Sequence, residues 1–183
     1  VPVNENLAFR FAGYHSEDDG YVKNLEGGDD LISHDTDAFR FSTAWVHDRL
    51  SVDLVVDYED RDMSPTIYSG LDEAGEPQTG EYTEVATNIP DGGYDESEVT
   101  NISMKGEYDL STMDLVSITG YRTHEFDYRE DTDGLPIALL DYKQDQEGDY
   151  FSQEFRLLSD GEGAWQWILG ASGFVDDIEA DYS

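Results

Sequence analysis

Apolar and polar side chains take turns along several stretches of about ten residues, the length of a strand that crosses a bilayer. Leu7, Phe9 and Phe11 alternate with Ala8, Arg10 and Ala12, and Phe39, Phe41, Thr43 and Trp45 alternate with Arg40, Ser42 and Ala44. Leu50, Val52, Leu54, Val56 and Tyr58 follow after only Val46 to Arg49, a spacing that predicts a hairpin. Ile102, Met104 and Tyr108 alternate with Ser103, Lys105 and Glu107 before a turn at 109–112 leads into a run over 113–126. Phe155 and Leu157 alternate with Glu154 and Arg156, and a glycine-containing turn at 159–163 precedes a strand beginning with Trp165, Trp167 and Leu169. Period two sends each set to its own face of a sheet, so the pattern predicts roughly seven strands and no helix. Over 115–122 both parities carry apolar residues, which leaves the facing of that run open.

The connections add a second constraint. Segments near 16–37, 59–98 and 128–148 are long and rich in Asp, Glu and Gly, while the turns between them are short. Long structureless loops are uncommon in compact soluble domains. Strict alternation of long with short puts every long connection at one end of the sheet, as in a transmembrane β-barrel with short periplasmic turns and longer outer loops. The expected fold is therefore all-β, an antiparallel up-and-down meander of about seven strands. No apolar run reaches transmembrane-helix length, so strands are the route into a membrane.

On such a barrel Phe9, Phe11, Phe39, Phe41, Leu50, Val52, Leu54 and Val56 form the outer apolar band. Tyr14, Tyr58, Tyr128 and Tyr150 are expected at its outer rim, and Trp45, Tyr108, Trp165 and Trp167 at its inner rim. Arg10, Arg40, Lys105, Glu107, Glu154 and Arg156 are expected to face the lumen, because charges are costly against hydrocarbon and can pair across strands in a wet interior. A secreted acidic β-sandwich binding carbohydrate or calcium is the competing arrangement, with the same apolar residues in a dry core.

A formal charge of −33 argues against nucleic-acid partners. The acidic runs at 17–19, 29–30, 72–73, 95–96 and 130–131 are read as loop residues, serving either to attract cations or as a solvated surface suited to saline water. Without cysteine there are no disulfides or thiolate metal sites. The segments 131–134 and 17–20 resemble calcium loops, but Arg129 and His15 stand where a first ligand is needed, so both are read as acidic turns. His15, His34, His47 and His124 lack paired ligand spacing, so no metal or cofactor is expected unless the fold brings ligands together. Neither a phosphate-binding glycine loop nor a nucleophile elbow is present, and no enzymatic activity is expected.

Five stretches, LAFRFAGYHSEDDGYVKN (7–24), DAFRFSTAWVHDRLSVDLVVDYED (37–60), LVSITGYR (115–122), FSQEFRLLS (151–159) and WQWILGASGFVDD (165–177), resemble consecutive barrel strands of TonB-dependent outer-membrane receptors. The resemblance implies a place in a twenty-two-stranded barrel of the bacterial outer membrane, around a plug through which the TonB complex drives uptake of a scarce ligand. That ligand would be an iron-siderophore or other metal chelate, a vitamin or an oligosaccharide. Residues 1–183 would be a partial barrel domain from its middle portion, without plug or TonB-binding segment. Tyr68, Tyr82 and Tyr94 are the loop-tip aromatics expected to contact ligand, outer-membrane lipid is the expected surrounding, and a passive porin is the alternative transport reading.

Overall fold

The computed structural model describes residues 1–89, 92–161 and 164–183. Its strands, in chain order, are β1 (Leu7–Asp18), β2 (Lys23–Asn24), β3 (His34–His47), β4 (Leu50–Met63), β5 (Glu84–Val85), β6 (Gly93–Asp109), β7 (Met113–Asp131), β8 (Asp141–Ser159) and β9 (Ile168–Tyr182). Seven of them form one sheet in the order β1-β3-β4-β6-β7-β8-β9, every neighbour antiparallel. The fold class is thus the all-β meander that alternation indicates. No described helix is long and apolar enough to cross a membrane, which leaves the strands untouched as candidates.

β-branched and aromatic residues at alternate positions favour the pleated conformation, and tight turns close the hairpins. Asp48, at φ 52°, turns β3 into β4. Ser111, at φ 75°, turns β6 into β7 and donates its N–H to the Asp109 carboxylate. Among the described residues, connections 48–49, 110–112, 160–161 and 164–167 lie at one end, and 19–33, 64–89 and 132–140 at the other.

Several boundaries differ from the sequence expectation. The strands continue beyond the alternating stretches, so that the outer connections are shorter than the segments near 16–37, 59–98 and 128–148. Both faces turn polar there and the periodic signal vanishes, yet the backbone ladder, indifferent to side-chain polarity, goes on. The acidic pairs at 95–96 and 130–131, and Glu17 with Asp18, are consequently strand residues. At the opposite end β9 starts at Ile168, leaving Trp165 and Trp167 in the connection, where the Trp167 N–H donates to Ser159 Oγ at 3.0 Å. The turn expected over 159–163 falls partly on 162–163, outside the described residues.

Among the described residues no second layer covers the large sheet. Phe11 is 66% exposed, Phe174 76% and Val175 67%. Among the described residues the buried hydrophobics are Val22, Leu31, Val85, Ile89 and Val116, and only Val116 belongs to the seven strands. The other four lie in the outer connections. There β2 and β5 pair in parallel, and Val22, Leu31 and Val85 pack together with Ile67 against them. This small cap is ordered by its own core, which the glycine- and acid-rich composition of the loops conceals.

Candidate functional site

Direct cross-strand partners share a face, so the register sorts the chemistry of the large sheet into two surfaces. Partners Phe11, Phe41 and Val56 define the apolar face, joined by Phe9 with Leu54 through Thr43, by Phe39 beside Tyr58, by Val52 beside Trp45 and by Leu50 beside His47. Rings stack diagonally across β1 and β3, Phe9 on Phe41 with centroids 6.5 Å apart and Phe11 on Phe39 at 6.2 Å. The open run resolves as well: Leu115 and Tyr121 join the apolar face through Leu157 and Phe151, while Val116, Ile118 and Arg122 lie on the other. Of the tyrosines expected at the outer rim, only Tyr58 shares the apolar face. Tyr14, Tyr128 and Tyr150 point to the opposite side, because their partners Ala38, Gln144 and Arg122 do.

That opposite, charged face holds Arg10, Arg40, Lys105, Glu107, Glu154 and Arg156 together. Arg61 and Arg122 share it, so six of the ten basic residues of the chain are collected there. Its ion pairs run along strands as well as between them. Lys105 Nζ meets Glu107 Oε1 at 2.7 Å, and Arg156 grips Glu154 with both Nε and a terminal nitrogen at 2.6 and 2.8 Å, each pair two residues apart on one strand. Arg40 bonds Asp57 on the neighbouring strand. Arg10, Arg40 and Arg122 line one shallow groove with Asp57 and Asn101. Arg10 and Arg122 have no ion-pair partner among the described residues, which leaves two guanidiniums available to an anion. Sequence reasoning missed Arg122 because the parity of its run was ambiguous.

Above the apolar band, on the same face, two rows cross the whole sheet. One reads His15, Asp37, Asp60, Glu98, Glu125, Glu147 and Glu179, and the next Glu17, Asp35, Asp62, Glu96, Asp127, Asp145 and Asp181. Like charges directly opposite one another destabilise a sheet, so these rows work against the ladder that carries them. Burial first, and neighbouring carboxylates second, push Asp62 and Glu96 above the ordinary carboxyl range. Asp127 rises for the same leading reason and through Asp145, which is itself held down by Lys143 Nζ at 2.8 Å. Individual acids were legible in the sequence; their assembly into rows required the register.

The cap closes over the same end. The Asn24 side chain bridges it, its Oδ1 accepting from Thr87 N–H at 3.3 Å and its Nδ2 donating to Thr87 O at 3.5 Å. The connections 64–92 and 132–140 dock where Gly70 N–H donates to Gly134 O at 3.0 Å. Gly134 sits at φ 64°, and a Cβ there would lie 2.7 Å from the Tyr68 carbonyl. The calcium-like segment at 131–134 turns three of its four carboxylate oxygens to nearby backbone: Asp131 Oδ1 accepts from Asp133 and Gly134 N–H, and Asp133 from Leu135, Leu139 and Leu140 N–H, while Asp131 Oδ2 is buried without a hydrogen-bond partner among the described residues. Of the expected loop-tip aromatics, Tyr82 is 80% exposed and Tyr68 lies in the same connection, but Tyr94 is the second residue of β6, paired with Arg129. Tyr94 therefore sits on the wall beneath the cap.

An open antiparallel meander with an unpartnered apolar face, tight turns at one end and a structured cap at the other has the architecture of a β-barrel wall. No family model and no curated protein matches the sequence. Among solved structures the chain is similar to the ferric yersiniabactin uptake receptor FyuA from Yersinia pestis, with a TM-score of 0.73 and 15% sequence identity over 100% of this chain and 28% of that one. The likeness establishes the fold, and the chain spans about a quarter of that receptor's length.

Proposed function

We propose that this chain forms part of the barrel wall of an outer-membrane receptor for TonB-energised uptake of a scarce ligand, of which a ferric chelate is the leading candidate. The observation that carries the reading is the apolar face of the large sheet, exposed or half-exposed throughout and continued by aromatic residues, in a fold shared with an uptake receptor. In a bilayer that face meets acyl chains, and the hydrogen-bonded ladder satisfies the backbone that lipid cannot. The open edge of β9, and that of β1 beyond Leu7–Phe9, onto which residues 1–3 fold back, would pair with further strands of a closed barrel.

In this reading the charged face borders the wet interior, and the groove of Arg10, Arg40 and Arg122 offers an anionic ligand a stepping point along the wall. The cap, with Tyr68 and Tyr82, gives the ligand its first contact; a plug elsewhere in the barrel, coupled to TonB, would release it inward. This segment binds and guides and performs no covalent chemistry. A dry β-sandwich is disfavoured by the bare apolar face, whereas a passive pore would share the wall.

Uptake separates the two transport readings. Cells relying on the full-length protein for ferric chelate entry should lose that entry when TonB is deleted. Entry that persists without TonB, together with leakage of unrelated small solutes, would establish the passive pore and sink the receptor.

A further inference from the structure

At the β1–β3 corner of the carboxylate rows stands one imidazole. His15 is the direct partner of Asp37, and Glu17 the direct partner of Asp35, so four ligating side chains form a square on a single face. His15 Nδ1 lies 3.1 Å from Asp37 Oδ1 and 3.7 Å from Asp35 Oδ1, and its Nε2 lies 3.9 Å from Glu17 Oε2. Ligand atoms from His15, Asp35 and Asp37 all fall within 4.8 Å of one another. We infer that His15, Asp35 and Asp37 form a binding site for a divalent first-row transition metal such as Zn²⁺, with Glu17 beside it.

Three features support the site, none of which depends on the receptor reading. The ladder of β1 and β3 fixes the backbones from which the ligands extend, so binding orders only side chains. Ligands at Zn–N and Zn–O distances of about 2.0–2.2 Å sit about 3.4 Å apart around a tetrahedral ion, within reach of small rotations of these exposed groups. The electrostatics also call for a cation: the next strand adds Asp60 and Asp62 to the same face, while Arg40 and Arg61 face away, Arg40 hydrogen-bonded to Asp57 and Arg61 with a terminal nitrogen 3.6 Å from Asp95 Oδ1. The imidazole sets the selectivity. Carboxylates alone suit Ca²⁺ and Mg²⁺, whereas a nitrogen donor favours Zn²⁺, Ni²⁺ or Cu²⁺. A bound ion would clip β1 to β3 at the base of the connection 19–33 and steady the cap.

The test is a titration of the full-length protein in detergent micelles with Zn²⁺, in excess Ca²⁺, followed by calorimetry and by NMR of selectively labelled histidines. Zn²⁺ should shift the resonances of His15 while leaving His34, His47 and His124 in place. The substitution His15→Asn should weaken the tightest Zn²⁺ step about tenfold or more, and the control His34→Asn should leave it unchanged. The NMR experiment uses unaltered protein and so stands even if the substituted chain inserts poorly. Zn²⁺ displaced by Ca²⁺, shifts at all four of these histidines or at none of them, or an unchanged affinity in His15→Asn would each overturn the site.

Discussion

The wall and the cap of this molecule solve the burial problem in opposite ways. The wall carries most of the large apolar side chains and buries few of them, with Phe11 at 66% and Val175 at 67% exposure. The cap carries few and buries them almost completely, with Leu31 at 1%, Ile89 at 3% and Val85 at 4%. A water-soluble domain of this size could hide its apolar residues in one core. Among the described residues the one cluster of buried hydrophobics belongs to the connections, so the cap packs around a core of its own as a water-soluble unit does and the wall does not.

The largest test of that division lies in the cap. Leu31→Ala removes the most deeply buried side chain from its contact with Val22 and Val85 and should cost about 2–5 kcal/mol locally. Hydrogen exchange should accelerate over 20–33 and 83–89 and stay slow in the large sheet. If the wall unravels as well, the two regions are one cooperative unit.

Charge placed in the wall gives the next largest effect. Val56 lies between Phe41 and Ile102 on the apolar face, and its neighbour Val55 lies between Ser42 and Ser103 on the charged one. In liposomes Val56→Lys should lose about 2–4 kcal/mol near the bilayer midplane, and Val55→Lys should lose much less. Equal losses in a urea titration would mean that neither face meets lipid.

A smaller loss is expected from Asn24→Ala, which leaves the Thr87 N–H without its acceptor inside the cap and should cost about 1–3 kcal/mol. Exchange at Thr87 and Ile89 reports it directly, since Ile89 N–H depends on Thr87 Oγ1 at 3.2 Å. Protection that stays unchanged there would show that water replaces the amide and that the buried bridge is dispensable.

The wall was largely legible in the sequence and the cap was not, for a physical reason. A sheet with one apolar and one polar face imposes period two, so Phe9, Phe11, Phe39 and Phe41 announce their common face without any knowledge of partners. The cap's core joins Val22, Leu31, Ile67 and Val85 from two separate connections, and four isolated apolar residues leave no local period. The same holds for the rows: Asp37, Asp60 and Glu98 are unremarkable in sequence and become neighbours only when three strands are set in register. Arg122 was hidden by apolar residues of both parities, and Tyr94 was assigned to a loop because its strand begins in acidic sequence.

The rows also supply the subtlest prediction, since they mark where the apolar band of the wall ends. Asp62, Glu96 and Asp127 bind protons more readily in the folded sheet than as free side chains with ordinary values of 3.8, 4.5 and 3.8. Protonation therefore favours the folded outer ends: their added stability is complete below those ordinary values and is lost as pH rises through the raised ones. Asp145, held down by Lys143, works in the other direction on acidification, but it is one group against three. Exchange corrected for its intrinsic pH dependence should thus slow at the outer ends of β4, β6 and β7 as pH falls from neutral toward the ordinary carboxyl range. Added salt at neutral pH should reproduce part of the gain by screening the rows, while the apolar stretch of the same strands should respond to neither. Outer ends that loosen on acidification would show that the carboxylates are already neutralised by bound cations, and that the boundary between wall and cap is held by ions more than by the ladder.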